Sequence, residues 1–300
     1  MSLPQKFVVV AGATGNLGSL IALSLRKREV AVKAIVRPGT AASRTRTLRQ
    51  AGVVVEEVDL INIPALTKSL AGSSTVVSAL QGLRDVMLGT QGALLDAAVA
   101  ADVQRFIPSD FSLDFTKTTP GSNRNLDLRR EFHAKLYSSG IQWTSIHGQM
   151  PMINDKWHCI NYFGSADQKL DFTTVPEVAA YTAAVAADPR PTPIILRIAG
   201  DSFSATDLAA VATRLRGQRY KTMWIGSLGF LRGLISILKF FIRGVEDKLL
   251  PAWQGMQYLE NMVSGDGTLD PLDNDRYPDL TWTTVEKALR EVDAEKDKQK

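Results

Sequence analysis

Gly12-Ala13-Thr14-Gly15-Asn16-Leu17-Gly18 places three glycines at a spacing that can hold a diphosphate. A tight strand-to-helix turn needs a residue free to take positive φ, and phosphate oxygens approach a backbone only where no Cβ blocks them. Gly12 and Gly15 meet those two needs. Gly18 lets the next helix lie close to the sheet, and that helix's N-terminus offers unpaired N–H groups and the positive end of a dipole. The flanks supply the context. Phe7-Val8-Val9-Val10-Ala11 is an apolar run suited to a parallel strand buried on both faces, and Leu17, Leu20, Ile21 and Leu25 share one helical face beyond the glycines.

A site for NAD(H) carries Asp or Glu roughly 20 residues past the glycines, where it bonds the adenosine ribose. The second strand here, Ala31 to Val36, ends instead in Arg37-Pro38-Gly39, followed by Arg44, Arg46 and Arg49. A guanidinium binds a 2′-phosphate through paired hydrogen bonds and charge, which favours NADP(H). Arg37 is fixed by the strand end, whereas Arg44, Arg46 and Arg49 also suit a solvated helix face.

The elements that must position these residues alternate along the first half. Strands are expected at 53–58, 75–80, 105–108 and 142–146, with helices between them, the clearest from Val86 to Ala101. This rhythm implies an α/β Rossmann fold, a doubly wound parallel sheet with right-handed crossovers and a ligand beyond the carboxyl ends of its strands. Those ends carry Gly12 to Gly18, Arg37, Asp59, Leu80, Gln81, Pro108, Ser109 and Phe111, with Asp110 as a carboxylate able to orient a ligand, orient a water or cap a helix. Thr174 and Pro176 open a helix through Ala187, Pro193 to Ile198 reads as a seventh strand, and Ser204 caps another helix. Residues 148–169 read as irregular, and 291–300 as a frayed tail. The expected division is a nucleotide-binding domain at 1–147 with additions from about 171–200, and a smaller C-terminal substrate-binding lobe from 148–170 and 201–300.

Composition bounds the function. The 300 residues are 45% hydrophobic and 22% charged, enough for a large core, and a net charge of +4 without a long basic block gives nucleic-acid binding no support. A single cysteine, Cys159, excludes an internal disulfide and suits a reducing compartment. With three histidines and no shared ligand spacing around Trp157, His158 and Cys159, no metal site is expected. No secretory signal is read, since the first strand starts at Phe7, and a cytoplasmic location is expected. Trp224 to Val245 is apolar but interrupted by Arg232, Lys239 and Arg243. It reads as a helix packed on the body or facing an oligomer partner, a membrane surface or a substrate channel, not a span.

Together these stretches resemble the NmrA-like and isoflavone reductase-like branch of the atypical short-chain dehydrogenase/reductase superfamily. The resemblance rests on GATGNLG and Arg37, on Val103 to Phe111 (VQRFIPSDF), on Asp171 to Arg190 and on Trp282-Thr283-Thr284-Val285-Glu286. It implies a Rossmann core, NADPH, and either reduction of a quinone, phenylpropanoid-like or other small apolar substrate, or cofactor sensing without turnover through a protein partner.

Reductases of the isoflavone type carry a Lys on the helix before the sixth strand and an Arg one turn later. Counting back from Gly140 puts Arg129 at the Lys position and His133 at the Arg position. An ammonium can give up a proton when its surroundings lower its pKa; a guanidinium effectively cannot. Arg129 can still polarise a substrate oxygen or fix the nicotinamide ribose. His133, on the same helical face, is a candidate for proton transfer or substrate binding, with a structural hydrogen bond as the alternative. His147, after the sixth strand, could face the substrate cavity or be a satisfied buried histidine. Lys135 falls about 240° around the helix from Arg129, and no Tyr-x-x-x-Lys sequence occurs in the chain.

Overall fold

The computed structural model describes residues 6–148, 159–241 and 247–298. The first half follows the expected alternation: β1 (Phe7–Ala11), α1 (Asn16–Lys27), β2 (Val32–Val36), α2 (Ala42–Gln50), β3 (Val54–Glu57), α3 (Ile63–Leu70), β4 (Ser73–Ser78), α4 (Gln91–Ala100), β5 (Arg105–Ile107), α5 (Arg124–Ser139) and β6 (Gln142–Trp143). All pairings in the sheet are parallel, in the order β3-β2-β1-β4-β5-β6. This is the doubly wound Rossmann order.

Alternation along β1 explains the layering. Val8 and Val10 face one core with Ile21, Ala22 and Leu25 of α1 and Val178, Tyr181 and Val185 of α6 (Val175–Ala187). Val9 and Ala11 face the other core with Leu66, Leu70, Leu94, Leu95, Phe132 and Leu136 from α3, α4 and α5. A strand buried on both faces must be apolar throughout, which is why Phe7 to Ala11 carries no polar residue.

The expected sixth strand is two strands. It breaks at Thr144, whose amide donates to Phe106 O and whose hydroxyl lies 2.6 Å from that of Thr192. Before this residue β6 pairs with β5; after it β7 (Ser145–Gly148) pairs in parallel with β10 (Ile195–Ile198), the expected seventh strand. The expected helix from Val86 begins with a π-helical segment, Asp85–Thr90, ahead of α4. Thr174 caps α6 through a capping box with Glu177, and Ser204 caps α7 (Ala205–Arg216) through another with Asp207.

The second half holds more strand than its sequence pattern suggests. Part of the stretch read as irregular is β8 (Cys159–Phe163), paired with β12 (Lys221–Gly226), and β9 (Leu170–Phe172) pairs antiparallel with β11 (Asp201–Phe203). Trp224 to Gly226 therefore belong to a strand, and the helix expected there, α8, spans Leu228–Phe241. Leu231 and Ile235 bury against a cluster that includes Val263 of α9 (Ala252–Val263). Short strands paired only with each other lack a two-sided core, so they do not carry an apolar run like the one that betrays β1. Of the tail expected to fray, 291–298 belong to α10 (Val285–Lys298), which the Arg216–Asp293 ion pair at 2.7 Å ties to α7. Among the described residues, no helix is long and apolar enough to cross a membrane.

The β1–α1 turn leaves no room for side chains at two of its glycines. Gly12 has φ +82°, and a Cβ there would stand 2.5 Å from Ala79 O; a Cβ on Gly18 would stand 2.3 Å from Gly12 O. Gly18→Ala is therefore expected to cost about 1–3 kcal/mol as α1 is pushed off the turn. Urea unfolding checks this, with an unchanged midpoint as the contrary result.

Candidate active site

The carboxyl edge of the sheet brings the nucleotide-binding candidates together. Gly15, the N-cap of α1, has an ordinary extended backbone (φ −84°, ψ 168°), with only Gly12 O, at 3.3 Å, near where a Cβ would stand. Its conformation does not require glycine, a Cβ would make one tight backbone contact within the turn, and the open side faces what approaches from outside. Helix α1 has no side-chain cap and no acid in its first turn, which leaves its first N–H groups for an anion. Ala13 is buried, Thr14 half-buried, and Asn16 and Leu17 begin the helix. The arrangement fits a dinucleotide diphosphate.

Arg37 is exposed at the end of β2, on a turn in which Thr40 Oγ1 donates to Arg37 O at 2.6 Å. Arg44 Nη2 reaches Thr14 O at 3.4 Å, so this α2 residue touches the glycine turn; Arg46 is exposed about 200° further round the helix. Asp59 closes its own turn by accepting from Ile61 N at 3.2 Å. Ser109 locks the ends of β4 and β5, its hydroxyl donating to Leu80 O at 2.7 Å and its amide to the buried Gln91 Oε1 at 2.9 Å. Gln81 is exposed beyond Leu80, Pro108 is buried, and Phe111 packs half-buried against the α1–α6 core.

Helix α5 presents the catalytic candidates. Asn123 caps it by accepting from Asn125 N and Leu126 N, and Gly140 ends it in the left-handed region. Arg129 sits half-buried, Nε donating to Asp110 O at 3.2 Å and Nη1 to Asn125 O at 2.9 Å. One turn on, His133 is buried between the rings of Phe115 and Trp143, centroids 4.9 and 4.7 Å away. Its Nε2 lies 2.7 Å from Oδ2 of Asp110, which also accepts from Ser145 Oγ at 2.6 Å. Burial opposes ionisation of Asp110, but the electrostatic pull of His133 and His147 and the hydrogen bonds from His133 and Ser145 outweigh it and hold the carboxyl below its ordinary value. A carboxylate can only accept, so Nε2 of His133 carries the hydrogen.

His147, on β7, is fully buried on the far side of Phe115, with ring centroids 4.8 Å apart. Its Nδ1 stands 3.3 Å from Asp114 Oδ1, an ion-pair separation without hydrogen-bond alignment. Asp114 is anchored by Thr116 and by Arg197 Nε at 2.6 Å. Burial pushes its pKa up, but His147, Thr116 and Arg197 together pull it well below the carboxylate range. Lys135 bonds Asp96 on α4 at 2.8 Å. Trp157 and His158 lie outside the described residues, together with the rest of 149–158. Among the described residues, no group of His, Cys, Asp and Glu is placed to hold a metal.

Sequence reasoning thus found both imidazoles but missed Asp114, Ser145 and Arg197. One signal was available: Ser145 and His147 alternate on a strand and face the same side, toward the acids spaced at 110 and 114.

The strand order and the glycine turn at the carboxyl edge define a Rossmann fold. The NmrA-like family model matches residues 4–237, and the chain belongs to that family. An isoflavone reductase homologue from Zea mays, IRL, is 23% identical over 320 aligned residues, covering 96% of this chain and 99% of the relative. The solved complex of AtPrR2 with NADP+ and (+)pinoresinol has a TM-score of 0.79 at 20% identity, covering 96% of this chain and 99% of that one. The leucoanthocyanidin reductase–NADPH complex from Vitis vinifera scores 0.77 at 19% identity, covering 95% and 98%.

Asp110 holds α5 and β7 together through a buried charge, so Asp110→Asn is expected to cost about 2–4 kcal/mol at pH 7. Because its folded pKa is depressed, its contribution is complete above the unfolded value of about 3.9 and is lost as pH falls through the folded value. Denaturant titrations at pH 7 and below pH 4 should show the variant's deficit shrinking in acid; a deficit independent of pH would contradict the assignment.

Proposed function

We propose that this chain is an NADPH-dependent reductase of a small apolar or aromatic substrate, phenylpropanoid-like or quinone. The observation that carries the reading is one continuous edge: an uncapped helix N-terminus behind Gly15, arginines at the end of β2, and a fixed guanidinium at Arg129 beside the end of β5. The family and the two solved complexes named above, which hold NADP+ or NADPH, support it.

In this reading Gly12 to Gly18 and the α1 N-terminus receive the diphosphate, Arg37 and Arg44 the 2′-phosphate, and Leu80, Gln81, Pro108, Ser109 and Phe111 line the path to the nicotinamide. The bound dinucleotide supplies a hydride. Arg129 holds negative charge developing on a substrate oxygen and does not donate a proton. His133, committed through Nε2 to Asp110, acts as a positioning residue: it fixes Asp110, whose carbonyl fixes Arg129. The proton comes from water, which suffices where the product anion is stabilised, as in a hydroquinone. Residues 1–147 with 171–200 form the nucleotide-binding unit, 148–170 and 201–300 form the substrate lobe, and the lone Cys159 suits a cytoplasmic setting.

One observation favours a second reading, NADP(H) sensing without turnover through a protein partner. Both described imidazoles are buried against carboxylates, and the helix offers a guanidinium where a proton donor would stand.

The deciding experiment measures NADPH consumption against quinones and benzylic or enol ethers, with NADPH affinity on the same sample. Turnover supports the reductase; tight binding without consumption of NADPH overturns it in favour of the sensor. Arg129→Ala is expected to lower turnover at least tenfold, and Arg129→Lys to keep part of it. Gly15→Val should stay folded by circular dichroism yet lose NADPH binding, because its side chain would occupy the diphosphate approach. NADPH should bind about tenfold more tightly than NADH, and Arg37→Ala should remove most of that difference.

A further inference from the structure

The end of β2 carries no acid, but the sheet brings one in from the next strand. Glu57, the last residue of β3, is the register partner of Val36, the last residue of β2. Its carboxylate is exposed, and Oε2 accepts a hydrogen bond from Gly39 N at 2.9 Å. Gly39, at φ +75°, belongs to the same Arg37–Thr40 turn whose hydroxyl-to-carbonyl bond holds Arg37 in place. A negative charge thus sits inside the turn that presents Arg37, with Arg44 nearby at the glycine turn.

A carboxylate at this edge does two things to an adenosine ribose. It accepts from a free 2′-hydroxyl and repels a 2′-phosphate, the reverse of what Arg37 and Arg44 do. We propose that Glu57 is a specificity-determining residue, which limits the preference of this site for a 2′-phosphorylated dinucleotide and retains measurable affinity for the unphosphorylated one. The inference rests on the dinucleotide reading of the site above. It differs from a plain structural role, in which Glu57 only ties down the Gly39 amide.

Glu57→Gln separates the two roles, because the amide oxygen still accepts from Gly39 N–H while the charge is gone. NADPH and NADH are titrated by calorimetry into the unmutated protein and into this variant. The NADPH-to-NADH affinity ratio is expected to rise roughly three- to tenfold in Glu57→Gln, through tighter NADPH binding. The gain should shrink at high salt. An unchanged or lowered ratio with both nucleotides still bound overturns this inference alone and leaves the dinucleotide reading intact. Failure of the unmutated protein to bind either nucleotide overturns both.

Discussion

One buried carboxylate links the parts of this molecule that chemistry would use. Asp110 lies past the end of β5, accepts from His133 on α5 and Ser145 on β7, and lends its backbone carbonyl to Arg129. The end of β5, helix α5 and strand β7, which pairs with β10 outside the central sheet, are thereby fixed to one another within a hydrogen bond's tolerance. The charge tolerates burial because its partners supply what water would have, although Oδ1 has no protein partner among the described residues. The arrangement repeats with Asp114 and His147, and the Phe115 ring fills the space between the two imidazoles. Apolar packing and ion pairing thus share one wall behind the edge where a substrate would lie.

How much of this the sequence showed depends on the range of the interaction. The glycine turn, β1 and α1 are local patterns, and the apolar run of β1 reflects burial on two faces; both were legible. Ser204 and Thr174 were legible as helix starts because a cap acts over three residues. The Asp110 contacts were not, because they join residues 23 and 35 positions apart and depend on which strand neighbours which. The break at Thr144 was hidden for a related reason: Gln142 to Ile146 keeps its apolar pattern while exchanging one neighbour for another. Glu57 escaped because its importance comes from the β2–β3 register, which sets it opposite Val36.

The adenosine edge shows why one residue at one position is a poor guide to cofactor choice. Arg37 and the absence of acid on β2 argue for a 2′-phosphate, and both remain true in the folded chain. The fold adds Arg44, which reaches the glycine turn from α2, and Glu57, which reaches the Arg37–Thr40 turn from β3. Selectivity at such a site is a difference between opposing charges delivered by separate strands and helices, each screened by water because each is exposed.

Arginine at position 129 has a consequence that extends to the whole site. A lysine there would be a mobile point charge whose protonation depends on burial, whereas a guanidinium keeps its charge at every pH at which the protein is folded. Two backbone carbonyls hold it, from Asp110 and from Asn125 one turn back, so its direction is set by main chain that β5 and α5 already fix. In the proposed reductase the positive centre is therefore static, and the proton comes from solvent or from the substrate's own acidity. A substrate whose reduced form is a stable anion suits such a site; one that must be protonated as the hydride arrives does not.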